Sequence, residues 1–169
     1  MVFKSCWTAI IIATFVCNGV SKASLLTDCP IYWTAFGDNC YRFFGQRVNL
    51  EEARYSCRSH GGGSKFAYLA SIHSQEENDY MATLFKSSTD SEAEDRHAWI
   101  GLNDDADEGT FVWTDGTRTN FIRWAYREPG GGRSQQGVVL VHPNNRDYGL
   151  WHNAATSDHY QYICKMPRS

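Results

Sequence analysis

Long hydrophobic runs are missing from this chain. Its longest apolar stretch near the start, Ala9 to Val16, is too short to cross the roughly 30 Å of a bilayer's hydrocarbon core, which argues against membrane insertion. Lys4 stands before it and Ser21-Lys22-Ala23 follows as a small-x-small cleavage site. Residues 1–23 therefore read as a secretory signal peptide, and residues 24–169 as a secreted, extracellular domain. A surplus of basic charge is missing as well. Without Lys4 and Lys22, 14 of the 16 basic residues remain against 19 acidic ones, a net charge of −5. That balance leaves no electrostatic footprint for nucleic acid or for an anionic membrane.

The motifs of common hydrolases are also absent. There is no G-x-S-x-G and no H-E-x-x-H. His142, His152 and His159 are spaced by ten and seven residues, which matches no common zinc template. No N-x-[ST] acceptor for N-glycosylation occurs, and neither an internal repeat nor a dividing linker is found. The expectation is one domain that is not an enzyme.

What is present is aromatic, glycine-rich and cysteine-bearing. Loss of the leader removes Cys6 and Cys17 and leaves Cys29, Cys40, Cys57 and Cys164. Four cysteines in an exported chain imply two disulfides with three pairings open. Cys29 and Cys40 flank an aromatic-rich hairpin signal around Gly37-Asp38-Asn39, so a local bridge would staple that hairpin. Cys57 and Cys164 would then tie the first helix to the last strand.

Asn49-Leu50-Glu51-Glu52 and Ser74-Gln75-Glu76-Glu77 are capping-box signals for two helices. The first carries Leu50, Ala53 and Cys57 and should end at Gly61-Gly62-Gly63. The second has Met81, Leu84 and Phe85 on one face. Strands are expected at 66–72, 98–102, 111–113, 138–141 and 160–164, with a solvated loop over 86–96. Long loops join the later strands, which makes an α+β domain.

The landmarks Cys29-Pro30, Cys40-Tyr41, Trp99-Ile100-Gly101-Leu102, Phe111-x-Trp113-x-Asp115-Gly116, Trp124, Glu128-Pro129 and Tyr162-Ile163-Cys164 together resemble the C-type lectin-like domain. The opening half is most similar to secreted marine-invertebrate lectins of the echinoidin type. The resemblance spans residues 24–169 and implies two helices, antiparallel strands and a long ligand-bearing loop region. It implies the pairings Cys29–Cys40 and Cys57–Cys164, and places Trp99, Trp113, Trp124 and Trp151 in the core.

In that family, sugar is bound through a calcium ion held by a Glu-Pro-Asn triplet, a later Glu and a Trp-Asn-Asp triplet. Here Glu128-Pro129 stands, but the next residue is Gly130, the later Glu falls at Gln135, and the last triplet is Trp151-His152-Asn153. Formal ligand charge drops from −3 to −1. Calcium affinity follows ligand charge, so calcium dependence is expected to be weak or absent. Glu128, Gln135, His152 and Asn153 are the candidate carbohydrate contacts. Glu128 and Asn153, with Asp104 and Glu108 of an auxiliary site, are the candidate metal ligands. The auxiliary site's loop partners fall on Gly131 and Gln136, so it is half a site. The family's short disulfide is absent at Gly137 and Thr156, and Gly130-Gly131-Gly132 should loosen the loop.

The expected function is a secreted lectin that recognises glycans or glycoproteins, in defence or agglutination, with any oligomer non-covalent. The competing reading is a lectin-like module that binds protein or biomineral matrix and no sugar.

Overall fold

The computed structural model describes residues 29–61, 66–89, 97–142 and 146–169. The chain opens on a hairpin of Thr34–Phe36 (β1) and Asn39–Val48 (β2). At its turn Gly37 takes φ +53, a left-handed conformation that suits a residue without Cβ. A disulfide joins Cys29 to Cys40 beside it.

Helix α1, Leu50–Ser59, starts at a complete capping box. Asn49 Oδ1 accepts the Glu52 amide at 2.9 Å, and Glu52 Oε2 accepts the Asn49 amide at 3.2 Å. It ends at Ser59 with His60 as its cap, ahead of the expected glycine triplet, of which Gly62 and Gly63 lie outside the described residues. Helix α2, Gln75–Ser87, is capped by Ser74, whose hydroxyl accepts the Glu77 amide at 3.1 Å. Met81, Ala82 and Phe85 are its buried apolar face, with Leu84 at the margin. It runs into the stretch expected to be loop, and residues 90–96 lie outside the described part.

The remaining strands are β3 (Tyr68–Leu69), β4 (His97–Asn103), β5 (Val112–Trp113), β6 (Gly137–Val141), β7 (Trp151–Ala154) and β8 (Tyr160–Pro167). The sheet order is β1-β2-β8-β4-β6-β7, with β3 on β8 and β5 on β4. Every pairing is antiparallel except β4 with β8. The class is α+β, as expected. The strand anticipated over 66–72 narrows to Tyr68–Leu69, because only those two residues meet ladder partners, Lys165 and Cys164. The sequence did not announce β7, whose Trp-His-Asn triplet alternates poorly yet pairs with Val138 to Leu140.

Tryptophans fill the core as the resemblance implied. Trp99 and Trp151 are fully buried and Trp113 nearly so. Each of the first two indole N–H groups finds an acceptor: Trp99 donates to Val48 O at 3.0 Å, and Trp151 to Asn78 Oδ1 at 2.8 Å. Trp124, half-buried, packs edge-on against Phe111 and Trp151. Gly137 lies under Trp99 and Leu50, where a Cβ would sit 2.7 Å from the indole. A side chain there would have to displace that packing. The Cys57–Cys164 disulfide closes a separation of 107 residues and ties α1 to β8, removing unfolded-state entropy worth about 4–5 kcal/mol.

One charged group binds α2 to the sheet. Lys165 Nζ, on β8, donates to Glu77 Oε1 at 2.7 Å and to Ser71 O and Oγ at 3.1 Å each. All three of its protons are used. Glu77 also accepts the Tyr41 hydroxyl and the His73 amide. Burial works to raise the Glu77 pKa, but the bonds from Lys165 and Tyr41 outweigh it and hold the carboxyl below its ordinary value of 4.5. Its contribution to stability is therefore complete above that value and is lost as the pH falls through the lower folded-state one. Denaturant titration across this acid range should show the loss. Lys165→Met, which leaves the Glu77 carboxylate buried and unpaired, should destabilise the fold by about 3–5 kcal/mol at neutral pH. The same titration checks it.

Candidate functional site

Between β5 and β6 the chain runs through residues 114–136 with a single 3-10 turn, Gly132–Ser134. Backbone in such a segment must find partners outside regular structure. It finds them on β7. Ala125 N donates to Trp151 O at 3.0 Å, Trp151 N donates to Arg123 O at 2.8 Å, and Trp124 forms a parallel bridge with Trp151. The loop then turns at Arg127, φ +67, and the Glu128–Pro129 peptide is cis.

Asn153 stands at the centre of the site. Its side chain is buried, and every polar function meets the loop. Oδ1 accepts the Gly130 amide at 2.9 Å; Nδ2 donates to Gly130 O and, at 3.0 Å, to Gln135 O. Glu128 Oε2 accepts from the amides of Gly130 and Asn153 at 3.2 and 3.4 Å. Glu128, Gln135 and Asn153 are thus brought together, Glu128 half-buried. The Gln135 side chain folds back over Gly131, where a Cβ would fall 2.0 Å from Gln135 Oε1 and push that side chain aside; φ +69 favours glycine there.

His152 is not part of this cluster. Successive strand residues face opposite sides of a sheet. His152 turns the other way, with Nε2 3.3 Å from Asp147 Oδ2 and its ring 5.7 Å from that of His97.

The acidic turn does meet the loop. Asp104, Glu108, Phe111, Pro129, Gly130 and Asn153 are among the residues lining a cavity of about 300 Å3. Asp104 is only 2% exposed; its Oδ2 accepts the Gly109 amide at 2.8 Å, while buried Oδ1 has no donor among the described residues. A residue the sequence reading passed over is Tyr126. It is 83% exposed two positions before Glu128, with the Arg127 guanidinium 5.2 Å from its ring centre. Its signal was an aromatic beside the Glu-Pro pair.

Calcium takes six to eight oxygen ligands. Around Asn153 the oxygens that converge, Gly130 O and Gln135 O, are occupied by amide N–H donors, and Glu128 is the one carboxylate. The residues present do not fit the family's principal calcium site. Among the described residues, no group of three or more His, Cys, Asp or Glu side chains is arranged to hold a metal. Asp104 and Glu108 fit a cation better, since an orphaned buried carboxylate oxygen is what a cation would satisfy.

A two-helix α+β domain with a long irregular loop anchored on a Trp-led strand, closed by two disulfides, defines a lectin-type recognition domain. The chain belongs to the C-type lectin family, whose domain model matches residues 46–166. It is 37% identical over 134 residues to an α-N-acetylgalactosamine-specific lectin of Patiria pectinifera, covering 79% of this chain and 77% of the relative. It is 34% identical over 148 residues to echinoidin of Heliocidaris crassispina, covering 82% and 97%. The solved C-type lectin CEL-I of Cucumaria echinata is 32% identical and superposes with a TM-score of 0.73, over 83% of this chain and 99% of that one. These relatives are lectins and not enzymes.

Asn153→Asp removes the amide donors and adds a second carboxylate beside Glu128. Without calcium it should cost about 1–3 kcal/mol. Millimolar calcium should then raise the variant's melting temperature and leave the parent's unchanged, as read by scanning calorimetry.

Proposed function

We propose that this chain is a secreted lectin that binds glycans or glycoproteins at the Glu128–Asn153 loop with little or no dependence on calcium. The observation that carries this reading is the Asn153 side chain. Its amide bonds to Gly130 and Gln135 hold the loop that presents Glu128, a task that needs no ion. Glu128 then offers carboxylate lone pairs to sugar hydroxyls, and charged acceptors make the stronger hydrogen bonds. Gln135 supplies an amide beside it, and Tyr126 supplies an exposed aromatic face for the apolar side of a sugar ring. Asn153 acts by positioning, and His152 faces elsewhere.

Asp104 and Glu108 are the residues that would take calcium where it binds, weakly and apart from Glu128. The leader at residues 1–23 and the two disulfides support secretion. Similarity to a lectin named for N-acetylgalactosamine makes that sugar the first one to try.

A glycan array run with calcium and again with EDTA tests the reading. Binding to the same glycans in both conditions is expected, weakened about tenfold or more by Glu128→Gln, the cost of one charged hydrogen bond. Binding abolished by EDTA would contradict the calcium-independent reading. Absence of binding in both conditions would favour a protein- or matrix-binding module.

A further inference from the structure

A cleft with a mixed lining lies away from Glu128 and Asn153, near the start of the 114–136 segment. It encloses about 430 Å3 among Asn39, Phe66, Tyr68, His73, Asp115, Thr117, Lys165, Met166 and Pro167. That volume falls in the range of small-ligand pockets. One wall is apolar. Phe66 is 61% exposed, and its ring centre lies 6.4 Å from that of Tyr68, with Met166 and Pro167 completing the wall. An aromatic ring left in water beside a cleft is an unused contact surface.

The opposite wall is polar and locked in place. Ser71 Oγ donates to Asp115 Oδ2 at 2.6 Å, and Thr117 N donates to Asp115 Oδ1 at 2.9 Å. His73 Nε2 lies 3.1 Å from both Ser71 Oγ and Thr117 Oγ1. The Thr117 hydroxyl also donates to Asp115 Oδ1, so the carboxylate is fixed in rotamer and direction and keeps one of its roughly four lone-pair sites for a ligand. Burial works to raise the Asp115 pKa, but the bonds from Ser71 and Thr117 prevail and keep the group ionised.

Charge narrows the ligand. Lys165 also lines the cleft, but its protons go to Glu77 and Ser71, and the Glu77 carboxylate neutralises it. Asp115, which feels the Lys165 charge, is the carboxylate of the lining, and with no Lys165 proton free the cleft disfavours sialylated or sulfated sugars. Two tilted aromatic rings, 57° between their planes, on one side and a fixed carboxylate, imidazole and hydroxyl on the other suit a neutral pyranose, whose C–H face and hydroxyl edge meet the same two kinds of surface.

We propose that this cleft is a second carbohydrate site, for neutral pyranoses, with Phe66 and Tyr68 as its platform and Asp115 as its principal hydroxyl acceptor. Its location gives it a role. Its strand residues come from β2, β3 and β8 and its Asp115 and Thr117 from the start of the 114–136 segment, whereas the Glu128 end of that segment is anchored on β7, with β4 and β6 between in the sheet. One chain then carries two separated sugar sites and can bridge two glycans without forming an oligomer, and linked sites gain avidity.

The test is an amide-resolved NMR titration of the 15N-labelled chain with the methyl glycosides of galactose, glucose, mannose, N-acetylgalactosamine and N-acetylglucosamine at millimolar concentration. Shifts at Tyr68, Thr117 and Met166 are expected from at least one sugar, and they should persist in Glu128→Gln. Phe66→Ala, which alters an exposed side chain and so leaves the fold intact, should weaken this binding about tenfold. Asp115→Asn should do the same; it keeps one oxygen acceptor, enough for Thr117, and turns the oxygen that Ser71 meets into an amide donor. Shifts confined to residues around Glu128 and Asn153 would overturn the second site and leave the first standing. Cleft shifts unaffected by either variant, or produced by indole and by no sugar, would overturn the assignment to carbohydrate.

Discussion

An irregular segment spanning residues 114–136 has to satisfy its polar backbone without a ladder of its own, and this obligation shapes the functional end of the molecule. Much of it is met from β7. Trp151 supplies main-chain partners for Arg123 and Ala125, and Asn153 supplies an amide that closes Gly130 onto Gln135. β7 is itself fixed from behind, because the Trp151 indole donates to Asn78 of α2, and Asn78 donates onward to Gly149 O at 2.8 Å. The position of Glu128 is therefore set by the packing of a helix on the other side of a tryptophan.

The same helix governs the second cleft. Ser71 and His73 lie just before the N-cap of α2, and Glu77 in its first turn holds Lys165 of β8. Ser71 receives Lys165 and passes its own proton to Asp115. Asp115 is thus reached from β8 through two hydrogen bonds, and loosening the Glu77–Lys165 pair would free Lys165 to neutralise Asp115 or to meet anions. The pair stabilises α2 and also sets which charges the cleft presents. Buried ion pairs are weak contributors to net stability against an apolar replacement, so a role in specifying the arrangement is the more economical account of this one.

Most of the scaffold was legible in the sequence because its signals are local. Capping residues Asn49 and Ser74, the tryptophan positions and the apolar run Val138–Val141 each declare themselves within a few residues. The site was less legible for two physical reasons. First, β7 carries Trp, His and Asn, a triplet without the alternation that marks a strand, so nothing showed that His152 and Asn153 face opposite sides. Second, the partners of Asn153 are backbone groups of Gly130 and Gln135, and a ligand count made on side chains does not contain them. Such a count weighs Asn153 only as a possible metal ligand and leaves out the bonds that its oxygen and nitrogen make to the loop backbone. Glu77 was hidden similarly, since its capping pattern is genuine at the main chain while its carboxylate turns inward. Phe66 was read as the start of a strand, and the strand begins only at Tyr68.

Exchange of a carboxylate for an amide at position 153 has a consequence beyond the lost charge. A carboxylate can only accept, so carbonyl oxygens brought near it repel it unless a cation stands between them. An amide carries both signs and can meet a carbonyl on one side and an N–H on the other. Gly130 offers both, and Asn153 takes both. Glycine at 131 suits the loop through its φ of +69, whereas a Cβ at 130 would meet only ordinary contacts, 3.7 Å from Arg127 O. Asn153 is therefore the member of this set that holds the loop without an ion, through side-chain bonds to the main chain at 130 and 135.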